Sequence, residues 1–173
     1  ESLTSAPQTR RDRVVGLLLG LLFRELFEFG LIQTDPNFAN FLYSAQTGKL
    51  GLLDFGATRR YSRTVTEGYR ELLAAALRND LEAMSESARA IGYFKEHIHA
   101  NQRAAVIKLF MLATEPATTR GRFDFGASDL ALRIRDAGMA LSFDQGYWHT
   151  PPADAVFLHR KLGGLYLLAA RLR

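Results

Sequence analysis

The densest apolar stretch runs from Val14 to Phe23, and apolar residues return at Leu26, Phe27 and Phe29 after Arg24 and Glu25. Asp12 stands where a cap is needed and Gly30 where a helix ends, so the pattern predicts a helix through VVGLLLGLLFRELFEF. A helix apolar on nearly every face belongs inside a domain, and this one is expected to form the core. The pattern changes between Leu31 and Arg60. Asn40 to Tyr43, then Ser44 to Gly48, then Lys49 to Phe55 read as strand, turn, strand, the one hairpin the sequence predicts. Beyond it the periodicity is helical. Thr64 or Thr66 caps a helix through Tyr69, Leu72, Leu73 and Ala76. Asn79-Asp80 stops it and caps a second, with Leu81, Met84, Ala88 and Ile91 on one face and Gly92 at its end. A third helix is expected over Glu96 to Ala113, a Pro/Thr/Gly-rich loop over Thr114 to Gly126, and a fourth helix over Ser128 to Leu141. Pro151-Pro152 opens a last helix through Leu158, Leu162, Leu165 and Leu168. The expected fold is mainly α with one small β-hairpin. Residues 1–11 read as a linker or frayed end, and residues 12–173 as one domain.

Composition narrows the chemistry. At 173 residues with 47% hydrophobic and 23% charged residues, the chain matches an ordinary globular domain. It has no cysteine, which excludes disulfides and thiolate metal sites. The net charge of +4 rests on arginines scattered along helical stretches, so a solvated basic surface is expected and a nucleic-acid partner is not. The apolar run at 14–23 is shorter than the roughly 20 residues a membrane span needs. No charged segment followed by an apolar core marks a signal peptide. The chain begins with Glu rather than Met and is read as an excised piece of a longer protein.

Three polar residues surround the predicted hairpin. Asp35 opens the loop before it, Asn40 follows five positions later, and Asp54 lies beyond the second strand in Leu53-Asp54-Phe55-Gly56, nineteen positions after Asp35. Phosphoryl transfer needs oxygens that hold metal ions against phosphates and a residue that orients the nucleophile. D-x-x-x-x-N, a short hairpin and D-F-G is the pattern that supplies them, because the hairpin returns Asp54 to the Asp35–Asn40 loop. Asp54 and Asn40 offer the carboxylate and carboxamide oxygens that Mg²⁺ prefers. Gly56 is read as allowing backbone geometry that a side chain would forbid. Singly, each residue has another reading: an Asx-type turn around Pro36 for Asp35 and Asn40, and a turn or cap for Asp54. Asp124-Phe125-Gly126 repeats the triplet without that context and is read as structural, with Phe123 and Phe125 anchoring its loop. His97 and His99 fall on different helix faces and His149 and His159 in separate segments, so no histidine metal site is expected. His159-Arg160-Lys161 reads as a packing and solvation feature, with anionic lipid as an alternative contact. Tyr147 and Trp148 read as loop anchors.

At Gln33-Thr34-Asp35-Pro36-Asn37-Phe38-Ala39-Asn40-Phe41, followed by Leu52-Leu53-Asp54-Phe55-Gly56-Ala57-Thr58-Arg59, the sequence resembles the UbiB/ADCK atypical kinases, and within them the coenzyme Q biosynthesis branch. Gln33-Thr34-Asp35 stands where ordinary protein kinases have His-Arg-Asp. The resemblance continues through Glu25-Leu26-Phe27-Glu28-Phe29, Phe123-Asp124-Phe125-Gly126 and Leu158-His159-Arg160-Lys161-Leu162-Gly163-Gly164, essentially the whole chain. It implies a protein-kinase-like C-lobe that binds ATP with Mg²⁺ or Mn²⁺ and, in its parent, supports ubiquinone biosynthesis. Asp35 would be the catalytic aspartate; Asn40, Asp54 and Gly56 would bind the cofactor, Asn40 and Asp54 as metal ligands. The implied partners are the N-lobe of the same protein, a membrane surface, quinone-precursor lipids and coenzyme Q biosynthesis proteins. The implied location is the bacterial cytoplasm or inner-membrane surface, or the mitochondrial matrix face. No Ala-Pro-Glu follows Gly56, so no peptide-substrate platform is evident. No nucleotide-covering loop or phosphate-binding lysine is recognisable among these residues, and the chain alone is expected to bind nucleotide weakly and turn over little ATP. Two other functions share the residues: a nucleotide-gated scaffold or lipid-handling pseudokinase, and a small-molecule phosphotransferase.

Overall fold

A computed structural model describes residues 3–94, 97–144 and 151–172. Its contacts form two compact units. One comes from the described residues within Glu1–Tyr61, Asp124–Ser128 and Ala153–Arg173, the other from those within Ser62–Phe123 and Asp129–Pro152.

In the first unit, α1 (Gln8–Arg24) begins ahead of the expected cap at Asp12. Pro7, with φ near −53°, presets the helical turn, and its carbonyl accepts Arg10 N at 2.9 Å and Arg11 N at 3.2 Å. The expectation that this helix is buried all round is not met. Val14, Leu18 and Leu22, four apart, are buried, whereas Leu17 and Phe23 are exposed. One stripe of α1 meets α6 (Ala153–Leu172), and a single stripe is all that one packed neighbour covers. A π-helical turn over Glu25–Phe29 carries the chain to Gly30, whose left-handed φ of 59° ends the helix as the sequence predicts.

Two antiparallel ladders follow. β2 (Phe41–Ser44) pairs with β3 (Lys49–Leu52) in the register Phe41↔Leu52 to Ser44↔Lys49, which is the predicted hairpin. Around it, β1 (Leu31–Gln33) pairs with β4 (Thr58–Arg60), Leu31↔Arg60 to Gln33↔Thr58. This outer pairing was not expected, since three residues are too few for an alternation to register. The end of β4 is tied to α6: Arg59 donates to Asp154 Oδ1 at 3.1 Å, and Tyr61 Oη donates to Asp154 O at 2.8 Å.

The second unit is helical: α2 (Arg63–Leu77), α3 (Leu81–Ile91), α4 (Ala100–Thr118) and α5 (Leu130–Met139), the last running into a π-helical turn over Ala140–Asp144. Ser62, rather than Thr64 or Thr66, caps α2, its Oγ accepting Val65 N at 3.3 Å. Asn79 turns left-handed at φ 55°, and Asp80 caps α3 by accepting Ala83 N at 3.0 Å. Met84, Ala88 and Ile91 are buried as predicted. Leu81 is not, because it is the first residue after the cap and the expected face ends before it. α4 continues five residues past the expected stop at Ala113 and contains Pro116. A proline in the last turn forfeits only one amide, and Glu115 holds that turn, its carbonyl accepting Thr119 N at 2.9 Å and its carboxylate taking both Arg133 amino groups at 2.7 Å. Glu96, Tyr147, Trp148 and His149 lie outside the described residues. No helix among the described residues is long and apolar enough to cross a membrane.

Candidate functional site

Both ladders reach one step past their strands, and the sequence-predicted residues sit between those extra steps. Beyond the β2–β3 hairpin, Leu53 N donates to Asn40 O at 2.9 Å. Beyond the β1–β4 pair, Thr34 N and Thr34 Oγ1 both donate to Ala57 O, at 3.1 and 2.7 Å. The segments 35–39 and 54–56 are therefore neighbouring loops clamped at both ends. In the first, Asn40 Nδ2 donates to Asp35 Oδ2 at 2.8 Å, and Asp35 Oδ1 accepts Asn37 N at 3.3 Å. The Asx-type turn and the polar pairing thus coexist at Asp35. Asn40 is buried; Asp35 keeps 32% of its side-chain surface.

Asp54 is exposed on the second loop, and its Oδ1 accepts Gly56 N at 2.8 Å. That bond explains Gly56 differently from the sequence reading. Its φ is not left-handed; instead a Cβ there would lie 3.2 Å from Asp54 Oδ1. The glycine makes room for the carboxylate. Asn40 and Asp54 are the residues that could hold a divalent cation. With Nδ2 given to Asp35, Asn40 has Oδ1 as its remaining donor atom for a metal, and Asp54 has Oδ2 outside its turn. Among the described residues no three His, Cys, Asp or Glu side chains form a metal cage. The donor set suits a cation that takes its other ligands from phosphate and water, as Mg²⁺ does.

The last helix supports the first loop. Arg160 stands 3.8 Å from Asp35 Oδ1, and a Cβ added to Gly164 would collide with Pro36 Cβ, so α6 and the loop touch there. Between those contacts Lys161 is buried, 1% exposed, and donates to Gln33 Oε1 at 2.9 Å. Its Nζ lies 4.8 Å from the centre of the Phe41 ring. Burial pushes this ammonium below the ordinary lysine range, opposed by the fields of Glu25 and Asp35. Glu25, also buried, accepts Gln33 N at 3.4 Å and is pushed above the usual carboxylate range by burial, opposed by Lys161. Glu25 Oε2 and Gln33 Nε2 have no protein hydrogen-bond partner. The sequence reading took Lys161 as part of a packing and solvation feature and quoted Glu25 and Gln33 within the family resemblance, without linking the three. The signal was present: Lys161 falls three after Leu158 and four before Leu165, on an otherwise apolar stripe.

The second Asp-Phe-Gly adopts the same local turn, Asp124 Oδ1 accepting Gly126 N at 2.9 Å and Ala127 N at 3.0 Å. Phe125 meets the Tyr166 ring at 5.3 Å, which anchors the loop as expected. In the second unit, a groove of about 560 Å³ on α3 and α4, with Leu81, Ile107 and Met111 in its lining, carries none of the predicted site residues.

Residues 2–88 match the family described as ABC1 atypical kinase-like domain. The chain is similar to "Atypical kinase COQ8B, mitochondrial" of Rattus norvegicus, 37% identical over 95% of the chain and 31% of that protein. It is 30% identical to "Atypical kinase coq-8, mitochondrial" of Caenorhabditis elegans over 100% of the chain and 23% of the relative. With "Atypical kinase COQ8, mitochondrial" of Saccharomyces cerevisiae it shares 32% identity over 98% of the chain and 34% of the relative. The chain spans about a third or less of the length of these relatives.

Proposed function

The chain belongs to the ABC1 atypical kinase-like family, and on that premise we propose that its 35–40 and 54–56 loops are the metal- and phosphate-facing part of an ATP site. The observation that carries this reading is the Asn40–Asp35 hydrogen bond at 2.8 Å within loops that two backbone ladders clamp side by side. Asp35 orients the nucleophile, with Arg160 3.8 Å from its Oδ1. Asn40 and Asp54 hold the divalent cation, Mg²⁺ or Mn²⁺, and Gly56 leaves space for the Asp54 carboxylate to keep its turn. When bound, the cation supplies charge neutralisation at the phosphates of ATP.

The nucleotide-covering loop and phosphate-binding lysine belong, on this reading, to an N-lobe of the same protein. The word mitochondrial in the relatives' names supports a place at the mitochondrial matrix face, or at the bacterial inner-membrane surface in a bacterial counterpart. The UbiB/ADCK resemblance supports a role in ubiquinone biosynthesis beside quinone-precursor lipids and the proteins that process them. In the protein carrying both lobes, Asp54→Asn is expected to abolish metal-dependent ATP hydrolysis and ubiquinone support together. Unchanged hydrolysis would remove Asp54 from the site. Ubiquinone support that survives the loss of hydrolysis would favour a nucleotide-gated scaffold.

A further inference from the structure

We propose that Lys161 is a positioning residue: from the last helix its buried ammonium holds Gln33, and through Gln33 it holds the loop that carries Asp35 and Asn40. This rests on the reading of that loop as half of an ATP–metal site. The geometry is direct. Gln33 is 1% exposed and adjoins Thr34, whose amide and hydroxyl are both bound to Ala57 O, so Gln33 sits at the root of the loop. Lysine only donates, so the 2.9 Å contact fixes the Gln33 carboxamide with Oε1 towards Nζ. The carbon stem occupies a core position of α6, and the head reaches both the Gln33 oxygen and the Phe41 ring, the first residue of β2 after Asn40. One side chain thereby braces both ends of the 35–40 loop. Two neighbouring contacts on the same helical face, Arg160 on Asp35 and Gly164 on Pro36, dock α6 against the middle of the loop.

The energetics argue against a role in stability alone. A lysine at a core position between Leu158 and Leu165 gives up its hydration, and Glu25 and Gln33 each keep a buried polar atom without a protein partner. An apolar residue at 161 would pack without that penalty. What it would lack is a directional hold on Gln33.

The test uses this chain with Mn²⁺ alone as probe, in Lys161→Met, Gln33→Met and the double variant. Losing a nearby positive charge would by itself tighten cation binding, whereas losing a brace weakens it, so the sign separates the two. Lys161→Met and Gln33→Met are each expected to weaken Mn²⁺ binding about tenfold, the range found for groups that orient a ligand, and the double variant no further. The Asn40 side-chain amide resonances, which report its bond to Asp35, should move in all three towards the position of a free carboxamide. Lys161→Arg keeps charge and donors and should restore part of both. Unmoved Asn40 resonances with unchanged or tighter Mn²⁺ binding in a folded variant would overturn the proposal. If Lys161→Met does not fold, Gln33→Met, which removes only the acceptor, decides by the same two readings. A wild-type chain that binds no Mn²⁺ would count against the metal site itself, and the Asn40 resonances would still decide the brace.

Discussion

Glu25 shows at the scale of one residue how burial and function meet. Its carboxyl is desolvated, and its pKa lies above that of an exposed glutamate despite Lys161. A raised folded pKa contributes stability that is fully present below the unfolded value, 4.5, and is lost as pH rises through the folded value. Glu25→Gln removes that dependence. Denaturant unfolding at pH 7 and pH 5 is therefore expected to show wild type gaining on the variant at the lower pH; a constant difference would mean that Glu25 titrates normally in the folded chain. Asp54 and Asp124 make a second point. Both form the same turn with the glycine two residues on, so the local conformation comes from the triplet. What separates them is context: the Asp54 loop is clamped beside the 35–39 loop by two backbone ladders, and the Asp124 loop is anchored through Phe125 on Tyr166. The Asp-Phe-Gly letters are legible anywhere, and the site is legible only with its flanking strands.

Within elements, α6 carries the sharpest contrast. Gly163 and Gly164 are adjacent on the same helix, yet a Cβ at 163 meets nothing within 4 Å and one at 164 collides with Pro36. Gly163→Ala should stabilise the chain by up to about 1 kcal/mol through helix propensity. Gly164→Ala should destabilise it by about 1–3 kcal/mol through overpacking against the loop. Thermal unfolding of the two variants checks this, and shifts of the same sign would contradict the packing. The helices themselves were largely readable, because caps such as Asp80 and left-handed stops such as Gly30 and Gly92 act within a few residues. The errors fell where distant contacts decide: α1 is buried on one stripe only, and α4 runs through Pro116 because Arg133 holds Glu115.

At the scale of the whole molecule, the described residues are mainly helical with two small antiparallel ladders, the pattern of a kinase-like C-lobe, which fits its family membership. Ligand binding to the folded chain alone stabilises it by mass action, about 2.7 kcal/mol at a hundredfold excess over Kd. Mn²⁺ should therefore raise the unfolding temperature of the chain, and Asp54→Asn should abolish the rise while leaving the metal-free transition unchanged. A rise that persists in the variant would locate the cation elsewhere. The family, the helical class, the hairpin and the Asp35, Asn40 and Asp54 constellation follow from sequence alone, because their signals are local: spacing, turn chemistry and caps within about twenty residues. The β1–β4 ladder and the burial of Lys161 beneath Gln33 were decided by the tertiary structure. The ladder joins residues 25 to 29 positions apart, from Gln33↔Thr58 to Leu31↔Arg60, and the Lys161–Gln33 hydrogen bond joins residues 128 apart. A lysine in a basic triplet reads as solvated until the fold shows which face of its helix is covered.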